Sequence, residues 1–245
     1  MLKIQNLSKH FGGIKAVSNC SFEVRKGKIT ALIGPNGSGK STVFNLISGV
    51  LKADSGKVLF EGKEIISMPI DKISNLGISR IFQKSRLFNN LTIKENLLLA
   101  FGNEDEKFWK NLFGLNKITK EKEEKIKEML KLIKMQEFEG KYARSLSYGQ
   151  KRLVEIVRAI INPYKLLMLD EPVAGVTPLL RKELSEILLK LKGQGETIFI
   201  IEHDMNFILN LADEVIVMDE GKIIARGTPS QIKSNKKVLE AYLGN

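Results

Sequence analysis

The sequence predicts an α/β protein: a core built on a parallel sheet, a small antiparallel β-subdomain towards the N-terminus, and a helical subdomain inserted into the core. Three observations predict it. The continuous apolar runs "TALIG", "LLMLD", "TIFIIEH" and "VIVMD" each end at a polar or glycine position, as parallel strands covered on both faces do. The shorter runs "KIQNL", "SFEV" and "KVLFEG" alternate in polarity and are separated by turn signals at "FGG", "RKGK" and "EGKE", which reads as antiparallel strands. Between residues 84 and 145 the composition changes: "TKEKEEKIKEMLKLIKM" places Ile126, Met129, Leu130 and Ile133 at helical spacing among charges, and apolar strands resume only at Leu166. The expected organisation is a single domain over 1–245, with core and β-subdomain at 1–83 and 160–245 and a helical subdomain at 84–159.

The bulk properties agree with one sizeable core, since 43% of the 245 residues are hydrophobic. A net charge of +11 suits an anionic partner such as a nucleotide, a nucleic acid or an acidic membrane surface, and equally suits a plain solvated basic face. No apolar run approaches the roughly 18 residues of a spanning helix. The start "MLKIQNLSKH" has no signal-peptide character, so the expectation is a soluble, cytoplasmic chain. The single cysteine, Cys20, excludes intrachain disulfides and thiolate metal clusters and is expected to be a buried structural thiol.

The first element with chemistry is "GPNGSGKST", Gly34, Pro35, Asn36, Gly37, Ser38, Gly39, Lys40, Ser41 and Thr42. It fits G-x-x-x-x-G-K-[ST], follows the apolar run "ITALI" and precedes the helically spaced "TVFNLISG". Glycines let backbone N–H groups curl around a phosphate, and the helix that follows adds its positive end. Lys40 supplies a cation to the β- and γ-phosphates, and Ser41 offers a hydroxyl to Mg²⁺, which prefers oxygen ligands. The second element is "LLMLDEP", with Asp170 and Glu171 at the mouth of a buried strand. Adjacent carboxylates are costly there unless a cation or a reacting water uses them. Asp170 suits the Mg²⁺ shell, and Glu171 suits activation of a water in line with the γ-phosphate; helix N-capping is the alternative use of either acid. The third is "LSYGQ", a polar loop at 146–150 opening a helix, more than a hundred residues from the phosphate loop.

With "LSYGQKRLVEIVRA", "LLMLDEP" and "FIIEHD" downstream of "IGPNGSGKST", the sequence resembles the nucleotide-binding subunit of an ATP-binding cassette transporter, over nearly the whole chain. The resemblance implies a P-loop NTPase (RecA-like) core, ATP and Mg²⁺ as cofactors, and ATP hydrolysis. "LSYGQ" looks like the family's signature loop. In this family two cassettes pair head to tail, which implies that Ser147, Gly149 and Gln150 with their helix N-terminus meet the γ-phosphate held by a second subunit, a copy or a related chain. It further implies that Gln83, in "RIFQKS", links Mg²⁺ and the attacking water to the helical subdomain, and that His203, in "IIEHD", contacts the γ-phosphate. Without these motifs a surface glutamine and a structural histidine are the ordinary readings, and His10 keeps the structural one. Phe11 occupies the position where family members stack the adenine; a phenylalanine in the hairpin core is the alternative.

Two departures from the family pattern stand out. Tyr148 replaces the first glycine of the usual signature, and Thr177, in "PVAGVTP", stands where an aspartate is usual in the loop between the two sites. Both, together with the ending "KVLEAYLG" and the segment "EKFWKNLFGLNK", resemble the subgroup that powers branched-chain amino acid importers. The clustered Phe108, Trp109, Leu112 and Phe113 of that segment are expected to pack on the subdomain rather than touch a membrane. The resemblance implies integral membrane permease subunits as partners, gripped in a groove near Gln83 and the start of the helical region, "KSRLFNNLTIKENLLLAF", where exposed apolar and basic residues, Leu87 and Phe88 among them, receive a short helix, and a solute-binding protein as an indirect partner. It places the chain at the cytoplasmic face of the membrane. The rival readings are an ATPase acting on nucleic acid, for which the single phosphate loop and short helical region are a poor fit, and a non-catalytic nucleotide-gated scaffold, against which Glu171 and His203 argue.

Overall fold

A computed structural model describes residues 1–82, 87–101 and 120–243. The chain folds as two compact units, one of residues 1–83, 165–175 and 181–245 and one of residues 84–164 and 176–180.

In the first unit, β1 (Leu2–Phe11) and β2 (Ile14–Val24) form a hairpin that β4 (Ser55–Phe60) and the short β5 (Lys63–Glu64) extend into a four-stranded antiparallel sheet, order β2-β1-β4-β5. The second sheet takes the order β10-β9-β3-β8-β7-β6, from β3 (Ile29–Ile33), β6 (Ile78–Ile81), β7 (Leu166–Asp170), β8 (Ile198–Glu202), β9 (Glu214–Asp219) and β10 (Lys222–Gly227). All its strands are parallel except β10, which pairs antiparallel with β9 at the edge. Every residue of β3, β7 and β8 is buried, which is why these strands read as unbroken apolar runs rather than alternating ones. The strand β6, "ISRI", is shorter and carries an arginine, so its sequence signal is weaker.

Helix α1 (Lys40–Ile47) buries Val43, Phe44, Leu46 and Ile47 in the same hydrophobic cluster as residues of both sheets. Phe199 of β8 joins these layers, its ring 4.8 Å from Phe44 and 5.7 Å from Phe22 of β2. Cys20 is buried as expected and its thiol donates to the Gly221 carbonyl at 3.1 Å. Burial pushes that thiol's pKa up, so it is an inert packing group. The remaining helices of this unit are α2 (Ile70–Asn75), α6 (Pro178–Gly193, whose first residues belong to the other unit), α7 (Met205–Leu209), α8 (Pro229–Lys233) and α9 (Lys236–Leu243).

The second unit is helical among its described residues: α3 (Ile93–Ala100), α4 (Lys120–Leu132) and α5 (Tyr148–Ile160) pack on one another, with 3₁₀ turns at Gln136–Phe138 and Ala143–Ser145. The helical spacing of the charged segment is borne out, since Ile126, Met129, Leu130 and Ile133 are all buried. Thr92 opens α3 with a capping box to Glu95. Asn96 is wholly buried and uses its amide on the preceding loop, accepting from the Phe88 N–H at 2.8 Å and donating to the Phe88, Leu91 and Thr92 carbonyls. Leu87 departs from the sequence reading: it is buried, because it turns inward beside this loop, while Phe88 is 52% exposed. The segment with Phe108, Trp109, Leu112 and Phe113 lies outside the described residues, as does Gln83.

Candidate functional site

Parallel strands present their carboxyl ends on one edge of the sheet, and the candidate site is built there. The loop after β3 turns directly into α1. Its two critical glycines are fixed by close approach: a Cβ at Gly34 would lie 2.0 Å from the Met218 carbonyl oxygen, and one at Gly39 would lie 2.2 Å from that of Ala16. Both also have positive φ, 154° and 102°. Gly39 is the N-cap of α1, and among the described residues no side chain caps that helix, so its first N–H groups have no capping side-chain acceptor. That is the geometry of an anion cradle. The Lys40 ammonium, 5% exposed, donates to the Gly34 and Pro35 carbonyls at 2.9 and 2.8 Å and to the Ser38 hydroxyl at 3.3 Å. Burial lowers its pKa, and the charges of Glu171, Asp170 and Glu202 work in the opposite direction.

Asp170 ends β7, buried, with its carboxylate 2.9 Å from Arg80 of β6. The same guanidinium donates to the Ser48 hydroxyl at 2.6 Å and lies 4.6 Å from the Phe82 ring centroid. Arg80 was not recognisable as part of the site in the sequence. Its role depends on β6 lying beside β7, and the available signal was a lone guanidinium inside an apolar strand. Glu171 follows in a left-handed conformation, φ 45°, a strained position for a non-glycine residue. Its N–H donates to the Ile201 carbonyl at 3.0 Å, which ties it to β8. Its carboxylate oxygen comes 3.8 Å from Nδ1 of His203, whose ring is about half exposed.

Glu202, the last residue of β8, has no exposed surface and was also missed. One of its carboxylate oxygens accepts from the Val173 N–H at 3.0 Å; the other accepts from the N–H groups of His203 and Asp204 at 3.0 and 3.3 Å. Burial raises its pKa against the lowering effect of these three donors. Asp204 caps α7 through the Phe207 N–H and forms an ion pair with Arg181 of α6.

The hairpin tip of β1 and β2 adjoins the phosphate loop through Ala16. Phe11 is 45% exposed there, which removes the hairpin-core alternative. His10 has the structural role expected of it, its Nδ1 3.1 Å from Asp54. From the C-terminus, α9 brings the Tyr242 hydroxyl to the Gly34 peptide. Burial pushes its pKa up to about 12, Gly34 pulls the other way, and among the described residues the hydroxyl has no hydrogen-bond partner of normal geometry.

In the helical unit, Ser147 is the N-cap of α5. Its hydroxyl accepts from the Gln150 N–H at 3.3 Å, and the Gln150 side chain accepts from the Ser147 N–H at 2.9 Å, a complete capping box. Gln150 therefore spends its carbonyl on the cap. Gly149 packs against Leu180, where an added Cβ would lie 2.3 Å from Cδ2. Tyr148 is half exposed at the start of the helix. Thr177 accepts the Leu180 N–H at 3.4 Å, with Pro178 opening α6, so the residue in the aspartate position serves as a helix cap.

Residues 17–174 match the family described as "ABC transporter". The chain belongs to that family. Its C-terminal residues 222–245 also match the family described as "Branched-chain amino acid ATP-binding cassette transporter". It is similar to the probable branched-chain amino acid transport ATP-binding protein LivG of Archaeoglobus fulgidus, at 42% identity over all of this chain and 95% of the relative. The LivG proteins of Methanocaldococcus jannaschii and Escherichia coli K12 are 41% and 36% identical, again over all of this chain and 97% and 98% of theirs. Among solved structures, the ADP conformation of MJ1267, an ATP-binding cassette of an ABC transporter, superposes with a TM-score of 0.87 at 39% identity, covering 100% of this chain and 99% of that one. The cassette is an ATPase of the transporter type, and the P-loop fold expected from the sequence is borne out. These relatives support transport rather than a nucleic-acid ATPase or a scaffold.

Proposed function

We propose that the chain energises import of branched-chain amino acids, the solute class in its relatives' names, by pairing with a second cassette around ATP. The observation that supports it most is the convergence of Lys40, Asp170, Glu171 and His203 at the carboxyl ends of β3, β7 and β8. The loop of Gly34 to Gly39 with Lys40 cradles the phosphates, Phe11 stacks on the adenine, and Glu171 activates the water while His203 holds the γ-phosphate. Mg²⁺ fits the oxygen donors at hand, the Ser41 hydroxyl and the Asp170 carboxylate, which the Arg80 pair holds in place. Bound there, the ion would neutralise phosphate charge. Gln83 is assigned to the same site by its motif alone.

The second cassette would receive Ser147, Gly149 and the N-terminus of α5, where Ser147 and Tyr148 are exposed and Gly149 is half-buried. No helix of the described residues is long and apolar enough to cross a membrane, so the proposed route to the membrane is docking on permease subunits, with the exposed Phe88 as the contact. The experiment is Glu171→Gln in the full chain. Steady-state turnover should fall about 100-fold or more while ATP binding persists, and the variant should dimerise in saturating ATP. Normal turnover would remove Glu171 from its role.

A further inference from the structure

We propose that Glu202 is a positioning residue for hydrolysis, a buried carboxylate that locks the backbone of His203 to the segment following Glu171 so that the two side chains are held as one unit. This rests on the roles given above to Glu171 and His203. The geometry is specific. One oxygen of Glu202 reaches across to Val173, two residues past Glu171, and the other holds the N–H groups of His203 and Asp204. The side chain has no exposed surface, so its conformation is fixed by these three donors and the surrounding core. A second tie runs parallel to it, the ion pair of Asp204 with Arg181 on α6. His203 thus sits between two acids, each bonded to chain that follows Glu171. The His203 ring, about half exposed, and Glu171, in a strained backbone conformation, lie 3.8 Å apart; the Glu202 carboxylate bridges their backbones beside the direct bond from the Glu171 N–H to the Ile201 carbonyl.

The acceptor count explains why a carboxylate is required. Three N–H donors converge on two oxygens, and a glutamine at this position presents an NH₂ group to one set of them. Glu202→Gln should therefore lose turnover about 10- to 100-fold per folded site. The ATP dissociation constant should stay within about threefold, since Glu202 is bonded to the backbone of the hydrolytic pair and reaches the phosphate cradle only as the least of the three acidic charges acting on Lys40. Glu202→Asp keeps the charge and is one methylene too short to bridge both segments; it should fold and show the same division between kcat and KM. Should Glu202→Gln not fold, this variant carries the test. A purely structural role would lower the melting temperature and the folded fraction while leaving kcat per folded site at the wild-type value, and that result overturns the proposal. A cycle with His203→Ala adds a second criterion. If Glu202 acts through His203, the double variant turns over much faster than the product of the two single effects requires; multiplied effects would refute the coupling. Failure of the underlying reading looks different, because there His203→Ala or Glu171→Gln alone would turn over normally.

Discussion

Helices α1 and α5 both begin in a loop with glycine and serine, and both are assigned to phosphate, yet they are held in opposite ways. The start of α1 has no side-chain cap and is fixed by backbone pressed against backbone, with Gly34 under Met218 and Gly39 under Ala16. Its lysine and Ser38 are buried. The start of α5 is capped by its own Ser147 and Gln150 and stands at the surface, with Tyr148 half exposed. On the proposed reading the first site draws on one chain, while the second is a presented surface that the nucleotide of another cassette would complete. Position is therefore unforgiving at α1 and tolerant at α5.

Alanine substitutions at the two glycines are the sharpest way to break this comparison. At Gly34 the new methyl meets a carbonyl oxygen at 2.0 Å, and φ there is 154°, so the backbone must move. Nucleotide binding measured by calorimetry should be lost, with a destabilisation of about 3 kcal/mol or more. At Gly149 the obstacle is the far end of Leu180, a side chain that can rotate away. Overpacking costs about 1–3 kcal/mol and the helix gains about 1 kcal/mol from alanine, so the net loss should be only about 0–2 kcal/mol. Equal losses at the two positions, read from denaturant midpoints, would end the distinction.

Ser147→Ala sharpens it further. Losing the cap should cost about 1 kcal/mol locally, and hydrogen exchange should report it in the first turn of α5. Nucleotide binding by the single chain should be unchanged, while turnover, which on the proposed reading needs the pair, should fall. A fall in both would place Ser147 in the site of its own chain.

The same contrast governs what the sequence made legible. The phosphate loop, its lysine and the two acids after β7 are contiguous motifs whose chemistry is written in neighbouring residues. Arg80 and Glu202 escaped notice because their partners, Asp170 and Val173, are 90 and 29 residues away and become neighbours only through the order β8-β7-β6. A single charge inside "ISRIF" or "FIIEH" was the available clue. Leu87 was read as exposed alongside Phe88 because a short apolar stretch does not say which of its members turns inward. Tyr242 was seen only as part of a familiar ending; its proximity to Gly34 is a contact of tertiary structure.

The smallest effect is expected at Asp54, which anchors the hairpin end that bears Phe11. Its carboxylate binds the Lys9 ammonium at 2.7 Å, the His10 N–H at 2.6 Å and the His10 ring at 3.1 Å, and these partners hold its pKa down, to about 2. An acid whose pKa is lower folded than unfolded stabilises the fold above its unfolded value, near 3.8, and that contribution is lost as the pH falls towards about 2. Wild type should therefore lose melting temperature more steeply than Asp54→Asn across this window, and at neutral pH the variant should melt slightly lower. The group is solvent-exposed, so salt should shrink the difference. If the hairpin end belongs to the position-critical region through Phe11, Asp54→Asn should also raise KM for ATP about two- to fivefold with kcat held. An unchanged KM beside a changed acid slope would leave Asp54 as an anchor of the β-sheet alone and confine the unforgiving region to the phosphate loop.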